Sequence, residues 1–262
     1  YGEEFEVHAH DQEKFDFHQQ LVVALPVARS INKWYGNSED SLARETYVRA
    51  VYASVHISGC VVYQLAQNGL PSGVFFTAHF NSWVLETCTL YVIHKSSLRQ
   101  KTEGLCSKVL SPRQIKNAIF ALYYGDDSWI AIPKRLITVP SSDFFDGYLE
   151  LGLKATHCIK DWPIDQPVPI GEITFLKRKI FKNADGHVVF ALEIDHIYDM
   201  LNFCHKSYFS SAAFYNSTAR NMLTEIALHG KSEFGKLVSL MEASFTELNV
   251  PLTIPVTYAD YV

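Results

Sequence analysis

The feature that most constrains the fold is a pair of adjacent carboxylates between two short apolar segments. Residues 119–124 and 128–132 are mainly apolar or aromatic, and Gly125, Asp126 and Asp127 lie between them. Two such segments joined by a short turn that contains glycine are typical of a β-hairpin. The pattern therefore predicts a hairpin with two carboxylates at its tip.

Adjacent carboxylates near apolar strands repel each other and lose hydration unless a cation joins them. Successive residues of a strand point to opposite faces, so one carboxylate can enter a site while its neighbour supports it. The alternative is an ordinary turn, because glycine and aspartate are also favoured turn residues. The hairpin alone leaves both interpretations open.

A second acidic segment favours the metal site. Asp11 follows residues 5–10, which are predicted to form a strand, and four residues separate Asp11 from Asp16. A carboxylate at this strand end, opposite Asp126, would complete a site for two metal ions that stabilise the attacking and leaving oxygens of a phosphoryl displacement. Oxygen ligands suit Mg²⁺. Taken alone, the same spacing is common in solvated polar segments.

The third element is a turn that leads directly into a helix. Ser72 and Gly73 form the turn, and residues 80–91 carry apolar side chains at helical spacing, which should face a core. Thr77 and Asn81 lie four positions apart in the first turns, so both can face one ligand. A helix start also presents free N–H groups to phosphate or ribose oxygens. A simple helix cap is the alternative.

The remaining pattern indicates an α+β fold with a mixed first part and a helical end. Further predicted elements are a helix at 38–50, a hairpin at 51–57 and 60–64, a helix at 142–151 that stops at Gly152, a strand at 173–176, a hairpin turning at 183–186, and only helices after residue 192. Pro26 breaks the apolar run at 21–28, which is also too short for a membrane-spanning helix.

Composition narrows the function classes only slightly. The formal net charge of −5 argues mildly against a nucleic-acid partner, since such proteins usually have a basic surface. An acidic cluster that binds Mg²⁺ would account for the same excess. The five cysteines include no CxxC pair, so neither a disulfide framework nor a zinc site is indicated, and a reducing cytosolic setting fits.

Together and in this order, the three elements resemble motifs A, B and C of the picornavirus-like RNA-dependent RNA polymerases of positive-strand RNA viruses. The matching segments are Asp11-x4-Asp16 for motif A, Ser72-Gly73-x3-Thr77-x3-Asn81-Ser82 for motif B, and Tyr124-Gly125-Asp126-Asp127 for motif C. Residues 175–178 are similar to motif E, residues 152–160 to motif D, and residues 227–234 to a thumb segment of the family. The resemblance covers essentially the whole chain.

The resemblance implies a right-hand polymerase palm, an antiparallel sheet with packed helices, in residues 1–172, with a small fingers-side insertion at about 20–70. Residues 173–262 would form the motif E hairpin and an α-helical thumb. The N-terminal fingers, with their basic motif F, are missing before Asp11, so the chain alone is expected to fold its palm but to synthesise little or no RNA. The stretch 96–113 is longer than is usual in picornaviruses proper, and His8 and His10 stand where the strand is usually more apolar.

The resemblance also implies catalytic roles. Asp11 and Asp126 would bind two Mg²⁺ (or Mn²⁺) ions, with Asp127 as an auxiliary ligand, so the three carboxylates should converge. Lys160 would protonate the pyrophosphate leaving group. An ordinary surface lysine is the alternative for Lys160.

Nucleotide recognition is assigned in the same way. Asp16 and Asn81, helped by Ser72, would recognise the ribose hydroxyls and should lie within hydrogen-bonding distance of each other. Gly73 and Thr77 would belong to the same nucleotide-binding segment.

At motif E, the resemblance implies contacts with the primer strand. Phe175, Lys177 and Arg178 would lie against the RNA, and the two cations would hold its phosphates. A solvated basic edge is the alternative.

The predicted function is template-directed nucleotidyl transfer from NTPs to an RNA 3′ end by a fragment of a viral RNA-dependent RNA polymerase. The partners would be an RNA template and primer, NTPs, and the missing fingers segment of the same polyprotein. The location would be the host-cell cytoplasm, within a viral replication complex. Two alternatives stay open, a catalytically incompetent RNA-binding remnant and a reverse transcriptase. Asp16 and Asn81 argue against the latter, since a DNA-making enzyme tends to block the 2′-OH.

Overall fold

The computed structural model divides into two compact units, Tyr1–Ile170 and Gly171–Val262. The described residues are 5–64, 68–71, 76–159, 162–163, 166, 168–183, 186–202 and 211–262, without the side chains of residues 58, 63 and 201. The predicted site residues Ser72, Gly73 and Lys160 lie outside them, as does part of the turn at 183–186. The predicted boundary between units lay two residues further along the chain, after residue 172.

The first unit contains an antiparallel four-stranded sheet. Its strands are β1 (Phe5–Gln12), β4 (Phe120–Tyr124), β5 (Asp127–Pro133) and β6 (Ala155–His157), and they lie in the order β4-β5-β1-β6. His10 pairs with Ser128, and Tyr124 pairs with Asp127. This register brings Asp11 to the sheet end that carries the β4–β5 turn. The predicted hairpin and first strand are confirmed, although β1 continues through Asp11.

Helices and one small hairpin complete the first unit. The helices are α1 (Phe15–His18), α2 (Leu21–Trp34), α3 (Asp40–Tyr52), α4 (Thr77–Thr102), α5 (Pro112–Ala118) and α6 (Ser141–Glu150), and the hairpin is β2 (Val55–Ser58) with β3 (Val61–Gln64). Helix α4 contacts α2, α6 and β4. One buried cluster joins these helices to the sheet, and its members include Phe80, Val84, Leu85, Ile130, Ile132 and Phe144.

Helix α2 is the main element that the sequence pattern missed. The sequence pattern assigned no helix here, and Pro26, which interrupts the apolar run, lies inside the helix. Proline removes one backbone hydrogen bond, to the carbonyl four residues earlier. The helix nevertheless buries one apolar face, formed by Leu21, Ala24, Val27 and Ala28. Burial of this face offsets the lost bond, because tertiary packing supplies most of a helix's stability.

Two further boundaries differ from the prediction. Val51 and Tyr52 end helix α3, where both are buried, so the strand expected from residue 51 begins at Val55. Helix α4 is confirmed, and Phe80, Val84 and Cys88 are buried as predicted. Its other predicted core positions are more open, since Trp83 is 45% and Tyr91 38% exposed.

The second unit combines a three-stranded antiparallel sheet with helices. Its elements are β7 (Thr174–Phe175), β8 (Arg178–Lys182), β9 (Val188–Leu192), α7 (Ile194–Asp199), α8 (Ala212–Ala227) and α9 (Lys231–Glu247). Phe234, Leu237, Met241 and Phe245 of α9 are buried, as their spacing predicts. No helix in the described part of the chain is long and apolar enough to cross a membrane.

Candidate active site

A tight turn carries the paired carboxylates. Gly125 and Asp126 are the two loop residues between β4 and β5, because Tyr124 and Asp127 form the last cross-strand pair. Gly125 has φ +62°, while the φ of Asp126 is negative. This arrangement is that of a type II′ turn, in which glycine occupies the first central position. The turn places Asp126 at the tip and Asp127 at the start of β5.

Asp11 and Asp16 lie close enough to the β4–β5 turn to affect its carboxyl groups. Burial raises the pKa of Asp127 to about 6, and the charges of Asp126 and Asp11 add to that effect. Burial also raises the pKa of Asp126, to which the charges of Asp11 and Asp16 contribute. Asp11 itself is exposed at the end of β1. The site therefore concentrates negative charge that partly buried carboxylates hold at an energetic cost.

A divalent cation fits this donor set. Burial is the larger cause of the raised pKa of Asp126 and Asp127, and the repulsion between neighbouring carboxylates that adds to it is what a bound cation would relieve. Carboxylate oxygens are the ligands that Mg²⁺ prefers. Within the described residues, however, the structure does not gather three or more His, Cys, Asp or Glu side chains into a group that could hold a metal ion. The strand register brings Asp11, Asp126 and Asp127 to one end of the sheet, and their shared metal stays a prediction.

The turn is tied to helix α4. The backbone N–H of Gly125 donates to Oγ of Ser82 (2.9 Å), and this hydroxyl donates to the carbonyl of Ala78 (2.8 Å). Ser82 belongs to the motif B segment, but no separate role was predicted for it. Its position directly after Asn81 was the sequence feature that could have indicated a role in the site.

Asp16 and Asn81 meet as predicted. Nδ2 of Asn81 donates to Oδ1 of Asp16 at 2.7 Å, across 65 positions of sequence. Asp16 lies in α1, directly after the strand that carries Asp11, and Asn81 is 4% exposed in α4. The predicted hydrogen bond is confirmed, whereas its role in sugar recognition is not yet tested. Thr77, the first residue of α4, donates its hydroxyl to the carbonyl of Pro71 (3.1 Å).

The predicted primer-binding residues lie at the β7–β8 turn of the second unit. Leu176 and Lys177 form a two-residue loop with φ +52° and +60°, which is the pattern of a type I′ turn. Lys177 is exposed at this turn. Phe175 is only 8% exposed and stacks on Phe190.

Arg178 has a partner that the sequence did not indicate. Its guanidinium donates to both carboxylate oxygens of Glu225 in α8, at 2.8 and 2.6 Å. It also donates to the carbonyl of Phe190 (3.3 Å). This paired geometry is strong and directional. The predicted phosphate contact of Arg178 therefore has to coexist with an intramolecular ion pair.

The histidines before Asp11 face the opposite side of the sheet from it. His8 and His10 are 2% and 1% exposed and pack against the ring of Phe144 in α6. Burial, with a smaller contribution from His157, lowers the pKa of His8 to about 4. Burial also holds the pKa of His10 well below its usual range. Both rings therefore lie neutral in the core, where they pack against aromatic side chains.

Comparisons with known proteins identify the family of this chain. A family model described as viral RNA-dependent RNA polymerase matches residues 5–243. The chain therefore belongs to the viral RNA-dependent RNA polymerase family.

Its relatives are polyproteins of picorna-like viruses. The chain is 26% identical over 231 residues to the RNA1 polyprotein of Tomato ringspot virus (isolate raspberry), covering 85% of this chain and 10% of the polyprotein. It is 25% identical over 252 residues to the genome polyprotein of Rice tungro spherical virus (strain A), covering 94% and 7%. The chain thus spans a small part of each polyprotein.

A solved structure shares the fold. The chain is similar to a Sicinivirus 3Dpol RNA dependent RNA polymerase, with a TM-score of 0.70 and 20% identity. The match covers 99% of this chain and 51% of the solved chain. The mixed arrangement of helices and antiparallel sheets is therefore that of a viral polymerase, over about half of its length.

Proposed function

We propose that this chain supplies the catalytic carboxylates of a polymerase that transfers nucleotides from NTPs to an RNA 3′ end under the direction of an RNA template. The observation that carries the proposal is the grouping of Asp11, Asp16, Asp126 and Asp127 at one end of the sheet, where burial raises the pKa of the hairpin carboxyls and the neighbouring charges add to that effect. The chain belongs to the viral RNA-dependent RNA polymerase family, which supports a role of this acidic end in nucleotidyl transfer.

Asp11 and Asp126 would hold two Mg²⁺ or Mn²⁺ ions, with Asp127 as an auxiliary ligand. Bound divalent ions would activate the primer 3′-hydroxyl and neutralise charge on the leaving pyrophosphate. The protein's own contribution is positional. The type II′ turn fixes Asp126 at the tip of the hairpin, and the bond from Gly125 to Ser82 holds that turn against α4.

Asp16 and Asn81 would recognise the ribose of the incoming nucleotide. Their hydrogen bond places a carboxylate acceptor and an amide donor together beside the acidic end of the sheet. A ribose 2′-hydroxyl can both donate and accept, so this pair suits it, and a deoxyribose leaves polar atoms of the site without a partner. Ser72, Gly73 and Thr77 would contribute to the same nucleotide-binding segment.

Basic residues would contact the primer RNA and the leaving pyrophosphate. We assign Lys177 to the primer phosphates because it is exposed at a rigid turn. Phe175 and Arg178 would support that turn, and Arg178 would add a phosphate contact at its exposed edge. Lys160 would act as the general acid toward pyrophosphate.

We further infer that the first unit is the polymerase palm and that the second unit holds the motif E hairpin and the thumb. The fingers would come from another part of the polyprotein, in agreement with the 51% coverage of the solved polymerase. The weak activity expected of the isolated chain stays a prediction. The hydrogen-bonded Asp16–Asn81 pair disfavours a reverse transcriptase, which has no need to bind a 2′-hydroxyl.

The test is a primer-extension assay with Mg²⁺, using the longer viral polymerase that contains this chain. Asp126→Asn should lower extension by at least roughly a hundredfold, since loss of even an outer hydrogen-bond partner of a metal ligand costs about 10–100-fold. Asp146→Asn is the matched control, because Asp146 is exposed on α6. Extension that survives Asp126→Asn at the level of the control would overturn the proposal.

A further inference from the structure

A chain of buried hydrogen bonds ends at the Asp16–Asn81 pair. The hydroxyl of Tyr52 donates to Oε1 of Gln19 (2.7 Å), and Nε2 of Gln19 donates to Oδ1 of Asn81 (2.7 Å). Asn81 in turn donates to Asp16 (2.7 Å). Four side chains from three segments of the chain thus form one continuous line.

The inner members of this line are sealed from water. Tyr52 and Gln19 are 0% exposed, at the end of α3 and directly after α1 respectively. Burial raises the pKa of the Tyr52 hydroxyl, so this group remains protonated and keeps its proton to donate. A buried amide group without a hydrogen-bond partner costs free energy, so the loss of any bond in this line would destabilise the fold.

The polarity of the line runs in one direction only. An ionised carboxylate such as Asp16 is an acceptor, so the Asn81 amide must present its nitrogen there and its oxygen toward Gln19. Gln19 must then present its nitrogen to Asn81 and its oxygen to Tyr52, which can donate. Reversing either amide would set two acceptors or two donors against each other.

The backbone around Gln19 is held as well. The N–H of Gly69 donates to the carbonyl of Gln19 (2.7 Å), and the N–H of Leu70 donates to the carbonyl of Asp16 (2.6 Å). The side chain of Gln19 therefore projects from a fixed point. It cannot follow Asn81 if that amide turns over.

We propose that Gln19 and Tyr52 are positioning residues for sugar selection, which fix the amide orientation of Asn81 and so keep the Asp16–Asn81 pair ready for a ribose 2′-hydroxyl. The inference rests on the proposed polymerase function. Neither residue touches the nucleotide. They act by making the productive orientation of the amide the only one that satisfies all four side chains, which is preorganisation of the site.

The test compares incorporation of an NTP and the matching dNTP by the longer viral polymerase that contains this chain. In Gln19→Glu, a carboxylate oxygen replaces the amide nitrogen that faces Asn81. This oxygen can only accept a hydrogen bond, so it stabilises the reversed orientation of the Asn81 amide. In that orientation the Asn81 oxygen faces Asp16. The ratio of kcat/KM for NTP over dNTP should fall about tenfold or more, since sites built to hydrogen-bond a substrate hydroxyl discriminate through those bonds. Tyr52→Phe removes only the outermost donor and should lower the ratio about threefold.

Tyr148→Phe is the matched control. Its hydroxyl is also buried and forms a hydrogen bond of 2.9 Å with the hydroxyl of Thr89. Thr89 lies about two turns after Asn81 in α4. Loss of the Tyr148 hydroxyl should lower the melting temperature by an amount similar to Tyr52→Phe while leaving the sugar ratio unchanged. A purely structural role for Tyr52 would give the two variants the same ratio.

The outcomes separate the two proposals. A wild-type enzyme that extends RNA with NTPs, together with wild-type sugar ratios in folded Gln19→Glu and Tyr52→Phe, overturns the positioning role and leaves the polymerase function intact. Should Gln19→Glu fail to fold, Tyr52→Phe decides by the same criterion. A wild-type enzyme without any template-directed extension overturns both.

Discussion

The backbone N–H of Gly125 donates a hydrogen bond of 2.9 Å to the hydroxyl of Ser82. This bond joins the turn that carries Asp126 to the helix residue that directly follows Asn81. The candidate metal-binding turn and the candidate sugar-sensing amide are therefore connected through one helical residue. A displacement of α4 should reach both parts of the site together.

Ser82→Ala should uncouple the turn from the helix. The Gly125 N–H loses its partner, so we expect a loss of about 1 kcal/mol in unfolding free energy and a fall in primer extension. Ser30→Ala is the control, because the Ser30 hydroxyl also donates to the carbonyl four residues earlier but is exposed and, among the described residues, accepts no backbone N–H. Urea unfolding and primer extension measure the two effects. Equal behaviour of the two variants would contradict the coupling.

Gly69→Ala should disturb Asp16. Gly69 has φ +88°, and a Cβ at this position would lie 3.1 Å from the carbonyl oxygen of Asp16. Gly36→Ala is the control, since Gly36 has φ +74° and a Cβ at this position would meet no atom of the described residues within 4 Å. Both variants should lose roughly 1–2 kcal/mol from the positive φ alone. Only Gly69→Ala should also lower primer extension, and equal extension by the two variants would count against the close approach.

Acid should destabilise the first unit through His8. The folded pKa of His8 is about 4, below its usual 6.5, so the unfolded chain takes up the proton first as pH falls. The contribution to stability is therefore complete above pH 6.5 and is lost as pH falls toward 4, with a slope of at most about 1.4 kcal/mol per pH unit.

The measurement is urea unfolding between pH 7.5 and about 5, followed by tryptophan fluorescence. All four tryptophans precede residue 171, so the signal reports the first unit. His8→Leu should flatten the pH dependence, while His79→Leu, at an exposed position of α4, should not. An unchanged slope in His8→Leu would mean that other groups govern the acid response.

The Arg178–Glu225 pair should stabilise the second unit. Arg178→Met breaks two charge-assisted bonds and leaves Glu225, 17% exposed, without this partner. We expect a loss of about 1.5–3 kcal/mol in protection of α8 amides against hydrogen exchange. Lys236→Met removes a more exposed cation from a pair with Glu233 and should change protection by less than about 0.5 kcal/mol. Similar losses in both variants would show that the paired geometry adds nothing.

Local patterns predicted much of the fold. The β4–β5 hairpin, the motif B helix and the late helices follow from alternation, turn residues and helical spacing, which act over a few positions. Helix α2 was not predicted, because Pro26 interrupts its apolar pattern. Burial of one face of the helix outweighs that local signal. The start of β2 was misplaced for a related reason, since Val51 and Tyr52 favour strands locally but are buried within α3.

Most of the supporting contacts in the site could not have been found in the same way. Tyr52 and Gln19 are 33 positions apart, Ser82 and Gly125 are 43 apart, and Arg178 and Glu225 are 47 apart. No periodicity links residues at such separations. The Asp16–Asn81 bond was predictable only because both residues belong to motifs whose partnership the family resemblance supplied.

The alternation along β1 has a consequence for how the strand finds its place. His8 and His10 turn toward the aromatic face of α6, and Asp11 turns away from it. A slip of one residue in pairing exchanges the faces of every side chain. Such a slip would press the Asp11 carboxylate against aromatic rings, at a cost of several kcal/mol for an uncompensated buried charge. The carboxylate that we assign to chemistry thus also discourages misregistered pairing of the strand while the sheet assembles.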